Sequence, residues 1–405
     1  MMRSDTSGTA KDVCSFDLLM DLNVLYESFR NSKKQVDWKC SVQKYELNVL
    51  SNMNRLRKQL QNGTYRQKGF CEFTLSESGK TRHIKSLHIS DRVLQRALCD
   101  NILIPSLYKY LIYDNAASVK GKGIEFSKER LRCHLQRYFR KHGSSGYVLL
   151  VDYSKFFDSI PHDKLMEAFR KHIRDPRTLK LMEHLIATFD DGNGRSIGIG
   201  SQISQVAGIY YLSPLDNYCK IVKGCRYYGR YMDDVYIIYE SKAFLKEILK
   251  DVEAISEELG LTINRKKTQI CRIDKGFTFL QIRHTLTETG RIIRRPCRKG
   301  LTRERRKLKK LKQKVEDDII PYRDVLESYK SWRGSLLKYD CREQITRMDR
   351  LFRSLFHSAP EREEKKDGGQ KVHDKAVRRD GAQRSHHERK QLRVRRKSRR
   401  VRFRG

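Results

Sequence analysis

Apolar residues recur at helical spacing around Leu18, Leu22 and Leu25, and again at Leu47, Leu50 and Met53, among polar and basic neighbours. This periodicity predicts a basic helical region over residues 1–75. From His83 the pattern changes. Ile84, Leu87 and Ile89 suggest a strand, and Asp91 then opens a helix that Pro105 limits. A further helix is predicted over 127–141, where Leu131, Leu135 and Phe139 repeat at four-residue spacing. The run from Gly146 to Asp152 is continuously apolar and ends in a carboxylate, the pattern of a buried central strand.

Helical stretches follow near 163–172 and 176–188, and Asp191-Gly192-Asn193-Gly194 makes a turn. Arg230 to Tyr239 reads as two short apolar strands joined across paired acids, and 242–259 as an amphipathic helix that Gly260 terminates. Strand, helices, hairpin, helix, strand is the order of an α+β sheet with helices on one face. Beyond Gly276 the chain becomes helical and basic. Leu301, Leu308, Leu311 and Val315 form one stripe, and Ile345, Met348, Phe352 and Leu355 mark another helix. After Pro360 large apolar residues nearly vanish, which predicts a disordered basic tail over 359–405.

Composition narrows the class. The 405 residues carry 86 Lys plus Arg against 49 Asp plus Glu, a net charge of +37. Such an excess calls for a polyanion, which releases its counterions when lysines and arginines replace them; nucleic acid leads over an anionic membrane or an acidic protein. No apolar run approaches the ~20 residues of a membrane span. The first residues are polar with no leader-like apolar stretch, and the ten cysteines contain no C-x-x-C pair. The expectation is a cytoplasmic chain with reduced thiols.

Three carboxylates stand out by context. Asp152 closes an apolar strand, and Asp233-Asp234 form the tip of an apolar hairpin, both costly places for negative charge. An isolated Asp-Asp is ordinarily a turn; its embedding in apolar strands favours a metal site. Two Mg²⁺ ions ~3.5–4 Å apart would settle the charges and support in-line attack on phosphorus. The sequence alone leaves open whether the two strands are neighbours.

Tyr231-Met232-Asp233-Asp234 resembles the Y-x-D-D box of reverse transcriptases. The segment from Val151 to His162 resembles their first carboxylate motif, in the form typical of bacterial retroelements. Arg82-His83-Ile84-Lys85 with Asp91 to Gln95 is similar to the fingers motif of that group, and Gly260 to Asn264 with Lys266, Lys267 and Thr268 to a later lysine motif. Phe277 to Leu280 resembles the grip segment and Ser331-Trp332-Arg333-Gly334 a thumb sequence.

The resemblance implies a right-hand polymerase. Fingers and palm would span 76–275, the palm being ferredoxin-like with an antiparallel sheet and helices on one face; grip and helical thumb would span 276–358. It implies an RNA-directed DNA polymerase using two Mg²⁺ ions, with Mn²⁺ as a substitute. Asp152 and Asp233 would hold both ions, Asp234 would assist, and the Tyr153 carbonyl would complete one shell. Arg82 would meet the triphosphate of an incoming dNTP. Lys267, with Lys266 as rival, would protonate the departing pyrophosphate, and the Phe157 ring would reject a 2′-hydroxyl. The plainer readings are a surface arginine, a solvated lysine and a core phenylalanine. Arg303, Arg306, Lys309 and Lys310 of the basic thumb would grip the RNA/DNA hybrid by its backbone.

One motif departs from the general pattern. Most reverse transcriptases have Q-G-x-x-x-S-P where this chain has Ile199-Gly200-Ser201-Gln202-Ile203-Ser204-Gln205. Ile in place of Gln, and Gln205 in place of Pro, resembles the diversity-generating retroelement enzymes, where the change accompanies error-prone copying at template adenines. Ile199 cannot hydrogen-bond, so a nucleotide pocket built with Gly200 and Gln205 loses a polar check of ~1–3 kcal/mol, roughly a tenfold to hundredfold rise in errors. That subtype implies a structured template RNA and a small basic pentameric accessory protein, in a bacterial host or a phage. The alternatives are a retron-like or phage-defence reverse transcriptase with the same chemistry, a catalytically silent RNA-binding protein, and an RNA-dependent RNA polymerase, which Phe157 disfavours.

Overall fold

Three helices, α1 (Leu22–Lys33), α2 (Cys40–Leu47) and α3 (Val49–Gln61), precede the first strands in the computed structural model, which describes residues 15–77 and 80–356. The basic tail expected over 359–405 lies outside the described residues. β1 (Cys71–Glu77) and β2 (Lys80–Ser86) pair as an antiparallel hairpin, Phe73 opposite Ile84 and Leu75 opposite Arg82. This hairpin straddles the 75/76 boundary drawn from the sequence. The N-terminal helices are not a separate unit either: Leu25, Phe29 and Met53 share one core with Val93, Leu94 and Leu98 of α4 (Ile89–Leu98). β1 escaped notice because Phe73 and Leu75 are both exposed, so no buried face imposes a strong alternation.

Pro105 does not simply end the helix. A wide helical turn over Cys99–Leu103 shifts the register, and Pro105 falls at the start of the single turn α5 (Ile104–Leu107), where its missing N–H is tolerated. Ile89, expected in a strand, instead opens α4, with the His88 ring accepting from the Ser90 N–H at 3.2 Å.

After α6 (Ile124–His142) comes β3 (Tyr147–Val151), the single turn α7 (Phe156–Ser159), and then α8 (His162–Arg170) and α9 (Pro176–Ala187). α10 (Gln202–Tyr211) and α11 (Ser213–Asn217) lead to the hairpin β4 (Tyr227–Tyr231) and β5 (Asp234–Tyr239). α12 (Lys242–Glu258) returns the chain to β6 (Gln269–Arg272). The sheet order is β4-β5-β3-β6, all antiparallel.

β3 is apolar throughout because both its faces are covered. Leu149 and Val151 pack with Val235, Ile237 and Leu245 of α12, whereas Val148 and Leu150 pack with Tyr236, Ile238 and Leu131 of α6. The α+β class therefore holds, with one correction: the sheet is not helix-covered on one face only. α6 and a second small sheet close the other.

That second sheet is β7 (Phe277–Phe279), β8 (Ile282–Leu286) and β9 (Ile292–Pro296), antiparallel in chain order. His284 lies at its centre, opposite Phe277 on one side and Arg294 on the other. The ring is fully buried and neither nitrogen has a hydrogen-bond partner among the described residues. Burial, with Arg294 and Lys128 nearby, pushes its pKa down to about 3, so it is neutral.

The last three helices, α13 (Arg298–Glu316), α14 (Tyr322–Leu336) and α15 (Arg342–Phe356), enclose their own core of Leu308, Val325, Tyr329, Met348, Phe352 and Phe356. Arg333, from the thumb-like motif, donates from Nε to Asp349 Oδ1 at 3.0 Å and ties α14 to α15. No helix among the described residues is long and apolar enough to cross a membrane.

Candidate active site

The three acids are placed by backbone register. β3 and β5 run antiparallel with Leu150 opposite Tyr236 and Val151 opposite Val235. Asp152 is therefore the first residue past the end of this ladder on β3, and Asp234 is the residue just before Val235 at the same end of β5. In the hairpin, Tyr231 faces Asp234, so Met232 and Asp233 alone form the loop. Met232 has φ +58°, the positive value that a primed two-residue hairpin turn requires of its first loop residue. For a methionine this is a strained position.

A buried arginine holds that strain in place. Arg230 Nη1 donates to the Met232 carbonyl at 2.8 Å, Nη2 to the Ile209 carbonyl at 2.8 Å, and Nε and Nη2 to the two carboxylate oxygens of Asp216 at 2.7 and 2.6 Å. Tyr228 donates its hydroxyl proton to Asp216 at 2.5 Å. Both side chains of the Arg230–Asp216 pair are 0% exposed. Neither stands out in the sequence, where Asp216 sits in the mixed segment Ser213 to Asn217 and Arg230 follows Tyr227-Tyr228-Gly229.

Asp152 is fixed from its other side by the segment after α12. Its N–H donates to Thr268 Oγ1 at 3.2 Å, its carbonyl accepts from the Asn264 N–H at 2.8 Å, and the Ser154 N–H reaches the Thr262 carbonyl at 2.9 Å. Gly260, at φ +70°, lets the chain turn back; a Cβ there would sit 2.7 Å from Pro161 Cγ. The turn delivers Lys267, whose Nζ is 2.8 Å from Asp152 Oδ1. Lys267, not the solvent-facing Lys266, is thus the lysine brought to the acids.

Tyr153 points its side chain into the core, its hydroxyl 3.1 Å from Ser256 Oγ of α12. Phe156 is buried and Phe157 half-buried, with their rings edge to face at 5.4 Å. Both rings reach Gly208 of α10, where an added Cβ would lie 3.3 Å from each and 3.5 Å from Met232 Sδ. Phe157 and the Met232-Asp233 turn therefore meet over one glycine.

The Ile199 segment joins this palm to the hairpin. The Ile199 carbonyl accepts from the Lys85 N–H at 3.1 Å. Gly200, at φ +123°, permits the contact, since a Cβ would stand 3.0 Å from the Lys85 carbonyl oxygen. Ser201 caps α10 by accepting from the Ser204 N–H at 3.0 Å, and Gln205 Oε1 accepts from the Ser118 hydroxyl at 3.3 Å. Arg82 stands on the exposed hairpin whose base is pinned to Ile199 in this way. Arg306, Lys309 and Lys310 are exposed on α13, and Arg303 is half-buried.

A second buried charge cluster supports the same strand. Asp114 and Ala116 run beside β4, the Arg230 N–H donating to the Asp114 carbonyl at 3.1 Å and the Ala116 N–H to the Arg230 carbonyl at 3.2 Å. The Asp114 carboxylate accepts from Arg130 Nε at 2.6 Å and Lys220 Nζ at 2.7 Å. Burial alone would raise its pKa, but these two cations hold it below the usual carboxylate range. Burial pushes the neighbouring His134 down to about 4 in spite of Asp114.

Asp152, Asp233 and Asp234 offer hard oxygen donors of the kind Mg²⁺ takes. Among the described residues, no three His, Cys, Asp or Glu side chains are drawn together into a closed metal-binding group. What the fold supplies is shared strand ends that bring the three acids to one edge.

A family model described as "Reverse transcriptase (RNA-dependent DNA polymerase)" matches residues 67–284. No curated protein sequence matches the chain. Among solved structures it is similar to the telomerase of Candida albicans in complex with a fragment of telomeric RNA, with 12% identity and a TM-score of 0.45 over 61% of this chain and 51% of that one. Apo telomerase from Candida tropicalis gives 13% identity and a TM-score of 0.38 over 56% of this chain and 48% of that one. Its form truncated from the C-terminal domain gives 13% and 0.40 over 56% and 55%. The chain thus spans about half the length of these solved chains.

Proposed function

The chain belongs to the reverse transcriptase family, and from that premise we propose that it copies an RNA template into DNA, extending a primer with dNTPs. The observation that supports this reading is that Asp152 follows Val151 and Asp234 precedes its partner Val235 at the same end of neighbouring strands, with Asp233 in the adjoining turn. Divalent cations such as Mg²⁺ or Mn²⁺, held by Asp152 and Asp233 with Asp234 and the Tyr153 carbonyl beside them, would supply charge neutralisation at the attacking and leaving oxygens. Lys267 brings a proton donor to the same edge. Arg82 meets the triphosphate from the hairpin side, and Phe157 blocks a 2′-hydroxyl. The exposed cations of α13 hold the hybrid by its phosphates.

Primer extension on an RNA template tests this directly. The full chain should incorporate dNTPs in preference to NTPs, and Asp233→Asn should lose about a thousandfold or more in rate while binding RNA normally. Extension that survives Asp233→Asn overturns the assignment of that acid. RNA binding without any extension leaves a silent RNA-binding scaffold.

Within this activity we assign the chain to the diversity-generating type, with a structured template RNA and a small basic accessory protein as partners. Support comes from Ile199 and Gln205, and from the half-buried position of Ile199 beside the Lys85 contact. Ile199→Gln should lower misincorporation at template adenines by roughly tenfold. An unchanged error spectrum in sequenced cDNA removes Ile199 as the cause.

A further inference from the structure

Two short turns, 317–321 and 337–341, join α13, α14 and α15, so the three helices run up, down and up around their common core. The second turn therefore lies at the same end of the bundle as Cys297, where the chain comes in from β9. At this end two residues of the turn, Tyr339 and Asp340, fasten the bundle to the palm and to the second sheet.

Asp340 completes the outer edge of β9. Its N–H donates to the Arg294 carbonyl at 2.8 Å, and its Oδ2 accepts from the Arg294 N–H at 2.9 Å. Its own carbonyl accepts from Arg295 Nε at 3.1 Å, and its Oδ1 from Arg291 Nη2 at 3.1 Å. β9 is an edge strand of its sheet, so Asp340 satisfies backbone groups that no neighbouring strand reaches. Tyr339, 8% exposed, holds the other side. Lys128 of α6 donates to its hydroxyl at 3.1 Å, and the cationic ends of Lys128 and Arg294 each stand 5.5 Å from its ring centroid. Next to it Lys338 pairs with Glu125 of α6 at 2.6 Å. Ile282 of β8 packs with Leu336, Tyr339, Cys341 and Ile345 in a small core separate from that of the bundle.

A docked base matters because the cations of α13 stand on a lever. At 1.5 Å per residue, Lys310 lies about 18 Å along α13 from Arg298, so a swing of about 10° at the base would move it by about 3 Å. That is the whole length of a hydrogen bond to a phosphate oxygen. We infer that Asp340, seconded by Tyr339, is a positioning residue that sets the angle at which α13 presents Arg306, Lys309 and Lys310 to a nucleic-acid backbone. It acts through α13, not by chemistry at the acids. The inference rests on the proposed function for the identity of the duplex that is gripped, whereas the docking of the bundle stands without it.

Asp340→Ala in the full chain tests it. Hydrogen exchange at β9 should quicken about tenfold or more, while the amides of α13, α14 and α15 keep their protection because the core of the bundle is intact. Affinity for a short fluorescent RNA/DNA hybrid, measured without dNTPs or divalent ions, should fall about tenfold. The log–log dependence of that affinity on salt should become shallower by about 2, since fewer phosphates are met at once. Partial unfolding would lower the binding-competent fraction and leave this slope alone. Asp340→Asn should restore most of the affinity, because its amide oxygen still accepts from the Arg294 N–H and the Arg291 it gives up is 70% exposed. With Arg306, Lys309 and Lys310 all changed to Gln, Asp340→Ala should weaken binding by less than about twofold further. An unchanged exchange rate at β9, an unchanged salt slope, the full loss in the triple variant, or loss of protection within the helices themselves overturns the inference. Primer extension separates the two readings: extension with an unchanged salt slope retires only this inference, and the expected slope change without extension retires only the polymerase.

Discussion

β4 is flanked by two buried carboxylates, each bound to arginine, and they are built on different plans. Beneath the hairpin turn, Asp216 depends on one guanidinium, and that guanidinium also holds the strained Met232 carbonyl. Along the strand edge, Asp114 has two cations, Arg130 and Lys220, both partly reached by solvent, with His134 beside them. The first arrangement has one cation and no solvent exposure; the second has two cations, both partly exposed. A single fully buried pair fixes a turn rigidly, and its loss strands a charge. A shared pair tolerates the loss of one member. The turn that carries Asp233 is held by the unforgiving kind.

The largest effect should follow from breaking the single pair. Asp216→Asn leaves the Arg230 charge buried without a counter-ion and should cost about 3–5 kcal/mol in urea unfolding. Arg230→Met combined with Asp216→Leu should cost far less than the two single changes added together, because no charge is then stranded. Extension should nevertheless stay poor in the double variant, since the Met232 carbonyl has lost its donor. Additive losses in stability would mean that the pair is not the unit described here.

Acid should weaken the fold next. His134 is held to a pKa of about 4 and His284 to about 3, both below the ordinary 6.5. As pH falls through 6.5 the unfolded chain takes up protons that the folded chain refuses. The stabilisation is therefore whole above about pH 7 and drains away between 6.5 and these lower values. At pH 5 each histidine should account for about 2 kcal/mol of lost stability. His284→Leu should flatten its share of the slope, which urea titrations at pH 5 and 7.5 would reveal. The redundant cluster should give the smaller response to mutation: Lys220→Met leaves Arg130 on Asp114 and should cost about 1 kcal/mol.

How much of this could be read beforehand follows from what kind of interaction places each residue. β3 and β5 were legible because burial on both faces makes their apolar runs continuous, and the ends of α9 and α12 because Pro176 and Gly260 punctuate them. The three acids stood out against those runs. Arg230 and Asp216 did not, because each is an ordinary charged residue until the fold brings them together from different elements. β1 escaped because Phe73 and Leu75 are both exposed, so no buried face forces a pattern. Ile199 could be flagged only by resemblance; its carbonyl contact with Lys85, which joins hairpin to palm, is a backbone property no side chain announces.

Gly208 offers the mildest perturbation and the sharpest one. It precedes Ile209, whose carbonyl accepts from Arg230, and it lies against Phe156, Phe157 and Met232. Gly208→Ala disturbs the turn without touching a charge. Alanine favours the helix by roughly 1 kcal/mol over glycine, and the 3.3 Å contacts to the two rings oppose that gain. Stability should therefore change by less than about 1 kcal/mol. Phe156 is locked in the core, so the half-buried Phe157 ring and the Met232 side chain must yield, which would disturb the pocket proposed for the nucleotide. The expected result is a several-fold fall in kcat/KM for dNTPs, with RNA affinity unchanged and ribonucleotides rejected at least as strongly. Should Gly208→Ala lose several kcal/mol of stability instead, the turn would be as rigid toward packing as toward charge. The contrast between the single and the shared pair would then come from core density around α10, not from how many cations each carboxylate has.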